Sequence, residues 1–251
     1  MSFNPAENKW FIYPKPNPKA SLRLFCFPYG GSGASAFSSW IKDVPSEMEI
    51  CLIQLPGREN RIRESPFSQL LSLVKNLASA FPVQRIPFAF YGHSMGALIS
   101  FELTREFRRN NQMSPIHLFF AAHGAPHYSG KIAHILANGS DFEVIQQLNR
   151  VGDVPNWLIE NKKLREIFFS ILRADMRMLI NYTYSPEMPL NCPISVFGGV
   201  QDLWVTKEQL LAWKEYTSSS FSLEMLEKNH FFIDLIKPKK LFSLVTQLAS
   251  L

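Results

Sequence analysis

Short apolar runs alternate along this chain with stretches in which apolar side chains recur every third or fourth residue. Runs of the first kind predict buried strands, and stretches of the second kind predict amphipathic helices. The predicted strands span residues 22–27, 49–55, 88–91, 116–122, 192–199 and 221–226, preceded by an edge strand near residues 10–13 in a proline-dotted lead-in. The predicted helices span residues 66–81, 95–110, 207–216 and 238–248.

Strands that alternate with helices imply a mostly parallel sheet flanked by helices, so the predicted fold class is α/β. The alternation breaks between residues 127 and 189, where helical stretches at 141–149, 157–161 and 164–182 follow one another without a buried strand. This insertion is either a lid over a functional site or a packing subdomain with no gating role. Its many apolar residues favour a substrate with a hydrophobic acyl group. We expect a single domain over residues 1–251 that contains the insertion.

The most informative stretch is Gly92-His93-Ser94-Met95-Gly96, because it joins a predicted strand directly to a predicted helix. G-x-S-x-G in that context is the nucleophile elbow of α/β-hydrolases, in which the serine hydroxyl projects from a strained turn. Side chains two residues before and after the serine would collide with the neighbouring elements, and glycine removes them. The alternative is a chance Gly-Ser-Gly turn. We predict a serine hydrolase of the α/β-hydrolase fold with Ser94 as its nucleophile.

A glycine-rich loop at residues 28–35 follows the first buried strand. A phosphate-binding loop would need Lys-Ser/Thr or G-x-G-x-x-G, and neither is present here. Beside Ser94, such a loop would offer backbone N–H groups to an oxyanion, whereas a plain turn would have no chemical role. We predict an oxyanion hole formed by the N–H of Met95 and that of Tyr29 or Gly30.

The order serine, acid, histidine in α/β-hydrolases directs the choice of the other catalytic residues. His230 is the last histidine of the chain and follows the final predicted strand, so we predict it as the general base. Asp202 follows the penultimate strand and is the predicted orienting acid. Asp175 lies in the insertion, and Asp234 is too close to His230 in sequence to orient it easily.

The remaining histidines fit the general base less well. His93 adjoins the serine, and neighbouring side chains diverge at an elbow. His117 lies inside an apolar strand, where a satisfied core role is expected, and His123, His127 and His134 precede the acid, against the order rule.

The composition, with 46% hydrophobic and 19% charged residues, is that of an ordinary globular protein. No apolar run is long enough to span a membrane, and residues 1–9 lack the apolar core of a signal peptide. We therefore expect a cytoplasmic protein without stable membrane association. The net charge of +5 is modest and dispersed, so a solvated surface is favoured over an acidic partner, and nothing indicates nucleic-acid binding.

The three cysteines, Cys26, Cys51 and Cys192, lie in or beside apolar runs without C-x-x-C spacing. An odd number in such positions indicates reduced, buried thiols of a cytosolic protein, in preference to a catalytic cysteine or a metal site. No metal site is predicted, and a monomer is the expected oligomeric state.

With these residues in place, the chain resembles the type II thioesterases, the free-standing thioesterases that accompany nonribosomal peptide and polyketide synthetases, and related hydrolases of fatty acid synthesis. The resemblance spans nearly the whole chain and is carried by residues 10–11, 24–32 (LFCFPYGGS), 55–59 (LPGRE), 90–97 (FYGHSMGA), 125–127 (APH), 172–175 (LRAD), 182–184 (YTY), 198–202 (GGVQD) and 230–233 (HFFI). The chain departs from the usual pattern at Gly30, where alanine is frequent, at Asn229, where aspartate is common, and at Leu203, where proline is common.

The resemblance implies an enzyme that hydrolyses aberrant or stalled acyl groups from the phosphopantetheine arm of acyl or peptidyl carrier protein domains. It implies no cofactor beyond that arm, and lid helices that gate the acyl channel and help receive the carrier domain. Three alternatives remain open: an esterase or lipase that uses the same triad on free esters, a non-catalytic module that only binds a carrier domain, and an acyltransferase in which an alcohol or amine replaces water.

Overall fold

The computed structural model describes residues 9–128, 131–152 and 154–248, so the first eight residues of the predicted lead-in lie outside it. Within these ranges, seven strands form one sheet in the order β1-β3-β2-β4-β5-β6-β7, in which only β1 is antiparallel to its neighbour. The strands are β1 Phe11–Ile12, β2 Leu22–Phe27, β3 Met48–Ile53, β4 Phe88–His93, β5 Leu118–Ala121, β6 Ile194–Gly199 and β7 Phe221–Leu226. This is the α/β-hydrolase architecture that the sequence predicts.

Eight α-helices connect or flank the described strands. They are α1 Leu70–Ala80, α2 Met95–Arg109, α3 Lys131–Asn138, α4 Asp141–Asn149, α5 Asn156–Glu160, α6 Lys162–Ile180, α7 Lys207–Leu211 and α8 Pro238–Leu248. Side-chain caps set several of these helix starts: Ser140 and Glu143 form a capping box on α4, and Asn161 caps α6 by accepting the Leu164 N–H at 3.0 Å.

The period-two alternation of strand side chains divides the core into two layers. Phe25, Phe90 and Phe120 face the layer that contains α1 and α2. Cys26 and Tyr91 face the opposite layer, which contains α8 and the Ala34–Asp43 segment. Helices therefore cover both faces of the sheet, and this explains why the central strands are apolar on both sides.

Strand register brings the functional loops to one edge of the sheet. Phe27 at the end of β2 pairs with Gly92 in β4, and His93 at the end of β4 pairs with Ala121. Farther along the sheet, Gly199 at the end of β6 pairs with Leu226. Because the strands are parallel, the loops that follow β2, β4, β6 and β7 lie at the same edge, where open α/β sheets bind their ligands.

The insertion between β5 and β6 consists of α3, α4, α5 and α6. These helices share an apolar cluster of their own, separate from the two layers on the sheet. Helix α3 is absent from the sequence prediction, which found helices only at the positions of α4, α5 and α6. The cluster includes Leu136 of α3, Val144 and Leu148 of α4, Leu158 of α5, and Phe169 of α6.

Two other local predictions need correction. The helix predicted from residue 66 begins at Leu70, because Phe67 packs against Trp10 with ring centroids 6.1 Å apart and Pro66 packs against Gly57. The 3₁₀ segment Ala34–Asp43 after the glycine loop is missing from the prediction. It buries Phe37 and Trp40, whose spacing carries too little signal in a short 3₁₀ piece.

The structure bears on two expectations from the sequence, one about membrane-spanning segments and one about the cysteines. No described helix has both the length and the apolarity to cross a membrane. Cys26, Cys51 and Cys192 are free and buried, as the sequence predicts, and burial raises the pKa of the Cys192 thiol to about 12. These thiols therefore stay protonated and act as small apolar core groups.

Candidate active site

Ser94 lies at the junction of β4 and α2 with φ 50° and ψ −119°, a strained conformation for a residue that carries a side chain. The flanking glycines permit this turn. A Cβ on Gly92 would overlap the carbonyl oxygen of Gly96, and a Cβ on Gly96 would overlap that of Phe27. The steric need for glycine at both positions is confirmed. The second contact also brings the end of β2, and hence the glycine loop, against the first turn of α2.

The structure brings Ser94, His230 and Asp202 together in a continuous hydrogen-bonded line. His230 Nδ1 lies 2.8 Å from Asp202 Oδ2, and His230 Nε2 lies 3.1 Å from Ser94 Oγ. A carboxylate only accepts hydrogen bonds, so the proton of neutral His230 is on Nδ1 and Nε2 is free to accept the serine proton. The side chains of His230 and Asp202 are almost fully buried. This arrangement can deprotonate a serine hydroxyl during attack on a carbonyl group.

Backbone donors hold the Asp202 carboxylate in place. Its Oδ1 atom accepts the N–H of Trp204 at 2.8 Å and that of Val205 at 3.2 Å, while Oδ2 faces His230. The two oxygens therefore have separate partners, which fixes the orientation of the carboxylate. Asp234 accepts the Ser39 hydroxyl at 2.7 Å instead, in agreement with its exclusion as the acid.

The predicted oxyanion donors lie in the glycine loop at the cavity and at the start of α2. Tyr29, Gly30 and His230 line the same cavity as Ser94, and Met95 occupies the first position of α2. The N-terminus of a helix carries partial positive charge and favours a developing anion. The role of these N–H groups as an oxyanion hole remains a prediction.

The three departures from the thioesterase pattern have local explanations. A Cβ on Gly30 would lie 2.5 Å from Met176 Cε, the end of a flexible side chain that can move aside for an alanine. Asn229 accepts the Phe231 N–H at 3.2 Å through Oδ1, a bond that an aspartate could make equally well. Leu203 is 62% exposed, so a proline is not required there by packing.

A cavity of about 980 Å³ opens beside Ser94. The insertion supplies a large part of its wall, mostly with apolar side chains. They include Ile132 and Leu136 of α3, Leu148 of α4, and Phe168, Leu172 and Met176 of α6. The insertion is thus both a small packed unit and the wall of the candidate site. Whether it opens and closes as a lid remains a prediction.

His93 has a part in the site that the sequence prediction missed. Its ring does point away from Ser94, as expected, but Nε2 lies 3.0 Å from the carbonyl oxygen of His230 and therefore donates to it. Nδ1 lies 3.3 Å from the Tyr91 hydroxyl, whose proton it can accept. His93, which precedes the predicted nucleophile, thus anchors the backbone of His230, the predicted general base. The two residues are 137 positions apart, so no local pattern signals this contact.

Three histidines besides His230 remain neutral over a wide pH range; His93 and His117 are buried, and His123 is partly buried. Burial, together with the charge of His230, lowers the pKa of His93 to about 3. Burial also lowers the pKa of His117 to about 4 and that of His123 to about 4. His117 has a satisfied core role, as predicted, because its Nε2 lies 2.9 Å from Ser195 Oγ and its ring stacks on Phe119.

These histidines predict a loss of stability in mild acid. Above about pH 6.5, the usual pKa of histidine in an unfolded chain, these imidazoles are neutral in both the folded and the unfolded protein. Between about pH 6.5 and pH 4 they bind protons in the unfolded chain but stay neutral in the folded one. We expect the free energy of unfolding to fall as pH decreases from 6.5 to 4. With almost three protons taken up near pH 5, the slope is about 4 kcal/mol per pH unit. Urea unfolding at a series of pH values measures it.

The variant His117→Gln provides the control for this acid effect. It removes one of these three imidazoles at a position away from the cavity, so the slope should fall by about one third even if overall stability changes. A slope that is the same in both proteins would show that these histidines do not cause the acid sensitivity.

The described residues contain no group of three or more histidine, cysteine, aspartate or glutamate side chains placed to hold a metal ion. Among the polar groups at the cavity, His123 Nδ1 lies 2.6 Å from the carbonyl oxygen of Gly124, whereas the buried Trp204 Nε1 has no hydrogen-bond partner among the described residues.

Comparison with known proteins gives concordant matches over nearly the whole chain. The family model described as thioesterase domain matches residues 22–247. Gramicidin S biosynthesis protein GrsT of Aneurinibacillus migulanus is 43% identical over 236 residues, which cover 93% of this chain and 91% of that protein. The RedJ thioesterase from the prodiginine pathway of Streptomyces coelicolor superposes with a TM-score of 0.82 at 33% identity, covering 94% of this chain and 92% of RedJ. The type II thioesterase BorB from the borrelidin cluster superposes with a TM-score of 0.79 at 27% identity and 96% coverage of both chains.

Proposed function

This chain belongs to the thioesterase domain family, and we propose that it removes aberrant or stalled acyl groups from the phosphopantetheine arm of carrier domains. It is a hydrolase that acts on thioesters, and its relatives are type II thioesterases of peptide and polyketide pathways. The observation that carries the proposal is the Asp202–His230–Ser94 line, which ends in a cavity walled by apolar side chains of the insertion.

In the proposed acylation step, Ser94 Oγ attacks the thioester carbonyl carbon while His230 Nε2 accepts the serine proton. The negative charge on the tetrahedral oxygen is stabilised by the N–H of Met95 and by that of Tyr29 or Gly30. Collapse of the intermediate breaks the C–S bond. The sulfur leaves as a thiol with the proton from His230, and the acyl group remains as an ester on Ser94.

In the proposed deacylation step, His230 removes a proton from a water molecule, which attacks the acyl-serine ester. A second tetrahedral intermediate forms in the same oxyanion hole. Its collapse releases a carboxylic acid and returns the proton to Ser94 Oγ. Asp202 stabilises the charged imidazole in both steps without itself taking up the proton. Side chains, backbone N–H groups and water carry the whole reaction, so the proposed mechanism uses no cofactor.

The proposed partner is an acyl or peptidyl carrier protein domain of a synthetase. The cavity supports this choice, because a thioester on a long, thin arm can enter it while the carrier domain stays outside. GrsT, RedJ and BorB belong to biosynthetic pathways, and the same setting is proposed for this chain. A cytoplasmic location accords with the three free, buried cysteines, and a monomer is the proposed oligomeric state.

The substrate class can be tested with loaded carrier domains. We expect the enzyme to convert acyl-loaded carrier domains to the free-thiol form, with a kcat/KM at least about tenfold above that for p-nitrophenyl esters of the same acids, because carrier contacts add binding energy in the transition state. Intact-mass spectrometry follows the loss of the acyl group, and absorbance follows ester cleavage.

One further substrate and a labelling reagent make this comparison decisive. The same acyl group on free pantetheine separates recognition of the arm from recognition of the carrier domain. A faster reaction with simple esters than with every carrier tested would instead identify an esterase. Labelling of Ser94 by a fluorophosphonate without any hydrolysis would indicate that the physiological acceptor is an alcohol or amine.

A further inference from the structure

Arg58 and Asp175 form a buried, bidentate ion pair beside the glycine loop. Arg58 Nη1 lies 2.7 Å from Asp175 Oδ2, and Arg58 Nη2 lies 2.7 Å from Asp175 Oδ1. Each residue is only 2% exposed. Because desolvation offsets much of the attraction in such a pair, stability alone is a weak reason for its presence. The fork geometry fixes the relative orientation of the two groups, and this makes the pair suited to positioning.

Two further hydrogen bonds of the pair go to the glycine loop, while Arg58 Nε donates to the carbonyl oxygen of Pro56 at 3.3 Å. Asp175 Oδ2 accepts the N–H of Gly31 at 2.8 Å, and Arg58 Nη1 donates to the carbonyl oxygen of Ser32 at 2.9 Å. Gly31 has φ +82°, in the left-handed region that glycine adopts readily because it has no side chain. The ion pair therefore holds the Gly30–Gly31 and Ser32–Gly33 peptide groups of the loop. It adds to a turn in which the Ser32 N–H and hydroxyl donate to the Tyr29 carbonyl oxygen at 3.2 and 2.7 Å.

The held peptides adjoin the proposed oxyanion donors. The N–H of Gly31 belongs to the peptide that follows Gly30, so its direction limits the backbone of Gly30 and, through it, the N–H of Tyr29. An oxyanion hole requires donors fixed at 2.7–3.1 Å from the developing charge, which a rotating peptide cannot provide.

Helix α6 reaches the same loop with its apolar side chains. A Cβ on Gly31 would lie 3.0 Å from Phe168 Cε2 and 3.3 Å from Leu172 Cδ1. Phe168 and Leu172 also line the cavity, and Asp175 follows on the same helical face. One face of α6 thus forms the cavity wall, packs on the glycine loop and carries the carboxylate that holds the loop.

We propose that Arg58 and Asp175 are positioning residues that set the conformation of the oxyanion loop. Because Asp175 belongs to α6, the ion pair also fixes this helix to the active site. The inference rests on the proposed function, since it needs the loop N–H groups to act as an oxyanion hole. It assigns a role to two residues outside the triad, which come from the turn after β3 and from the insertion.

The decisive variant removes both charges at once, Arg58→Met with Asp175→Leu. Replacing a buried ion pair by apolar residues of similar volume is often neutral for stability, so the protein can remain folded while the loop loses its two anchors. We expect kcat on an acyl N-acetylcysteamine thioester to fall about 10²-fold, the effect of a lost oxyanion donor, with KM changed less than about threefold. Affinity for an alkyl boronic acid, whose serine adduct places an oxygen in the oxyanion hole, should fall in parallel.

The matched control replaces another ion pair, Arg23→Met with Glu49→Leu. Arg23 Nε lies 2.6 Å from Glu49 Oε2 at the amino ends of β2 and β3, the sheet edge opposite the site. Its kcat and boronate affinity should equal those of the wild type. An unchanged kcat in a folded Arg58/Asp175 variant overturns the proposal. So does a lower kcat with unchanged boronate affinity, because a general structural defect would then explain it.

Arg58→Lys serves if the double variant does not fold. Lysine keeps the charge but loses the fork that reaches both the carboxylate and the Ser32 carbonyl. A kcat at least about tenfold lower at an unchanged melting temperature supports the proposal, and a wild-type kcat overturns it. The small thioester separates this test from the carrier test: an enzyme that cleaves it but ignores carrier domains would refute the proposed substrate and leave the positioning role measurable.

Discussion

Ser94→Ala is expected to abolish thioester hydrolysis. The variant loses the atom that attacks the carbonyl, while His230 and Asp202 keep their contact at 2.8 Å. Loss of the nucleophile in a serine triad lowers kcat by at least about 10⁴-fold, and the residual rate comes from binding and the oxyanion hole. Steady-state hydrolysis of an acyl-carrier substrate measures the loss, and a fluorophosphonate probe should no longer label the protein.

Ser100→Ala is the matched control for this change. Ser100 lies in α2, the helix that begins directly after Ser94. It is fully buried and donates to the carbonyl of Ala97 at 3.0 Å, but it does not line the cavity. It should keep its labelling and its turnover. Circular dichroism establishes that both variants are folded. Substantial hydrolysis by folded Ser94→Ala would mean that another group is the nucleophile.

Asp202→Asn is expected to lower kcat by about 10⁴-fold, since the amide holds the imidazole in the wrong tautomer. In the wild-type protein, Asp202 Oδ1 accepts the N–H groups of Trp204 and Val205 at 2.8 and 3.2 Å, and the asparagine oxygen can accept the same two groups. Its NH₂ group then faces His230 Nδ1, which must accept a hydrogen bond. The imidazole proton moves to Nε2, where it blocks transfer from the Ser94 hydroxyl.

Asp234→Asn tests whether this effect is specific to the proposed acid. Asp234 lies four residues after His230 but bonds to Ser39, so its variant should retain wild-type kcat. The rate of fluorophosphonate labelling should follow kcat in both variants, because labelling needs the same deprotonation of Ser94. Equal losses in the two variants would point to general damage of the loop around His230. A loss only in Asp234→Asn would move the acid to that residue.

The attachment of α6 to the glycine loop changes how the insertion is understood. A lid that moves as one body would carry Asp175 away from Gly31 and leave the Arg58 guanidinium buried without its carboxylate. The cavity walls from α3 and α4 have no such ion pair with the loop among the described residues. Arg173 of α6 in turn donates to the carbonyl oxygens of Ala137 and Gly139 and pairs with Asp141, so α3 and α4 are held to α6.

Periodicity along the chain was sufficient for most of the secondary structure. Helix α2, predicted at 95–110, spans Met95–Arg109, and the predicted strand 22–27 is β2. Both carry strong patterns bounded by glycine or proline. The Ala34–Asp43 segment was missed because a 3₁₀ helix has three residues per turn, so its apolar side chains do not follow the 3.6-residue period of an α-helix.

The residues of the candidate site could also be predicted from the sequence. Gly92 and Gly96 mark a turn that only glycine tolerates, and the order of Ser94, Asp202 and His230 follows from the direction of the strands that carry them. Each inference needs only neighbouring residues and a rule of topology. The alternation of strands and helices likewise determined the fold class, because burial of two sheet faces by helices leaves few other arrangements.

Only the tertiary structure decided which distant groups support that chemistry. His93 holds the backbone of His230, and Asp175 joins Arg58 and Gly31 across 117 and 144 residues of chain. Sequence patterns report on the local backbone and on burial, but a hydrogen bond between distant residues depends on strand register, helix position and side-chain direction together. Those are fixed only when the chain packs, and so the serine could be found by its motif while the groups that hold its neighbours could not.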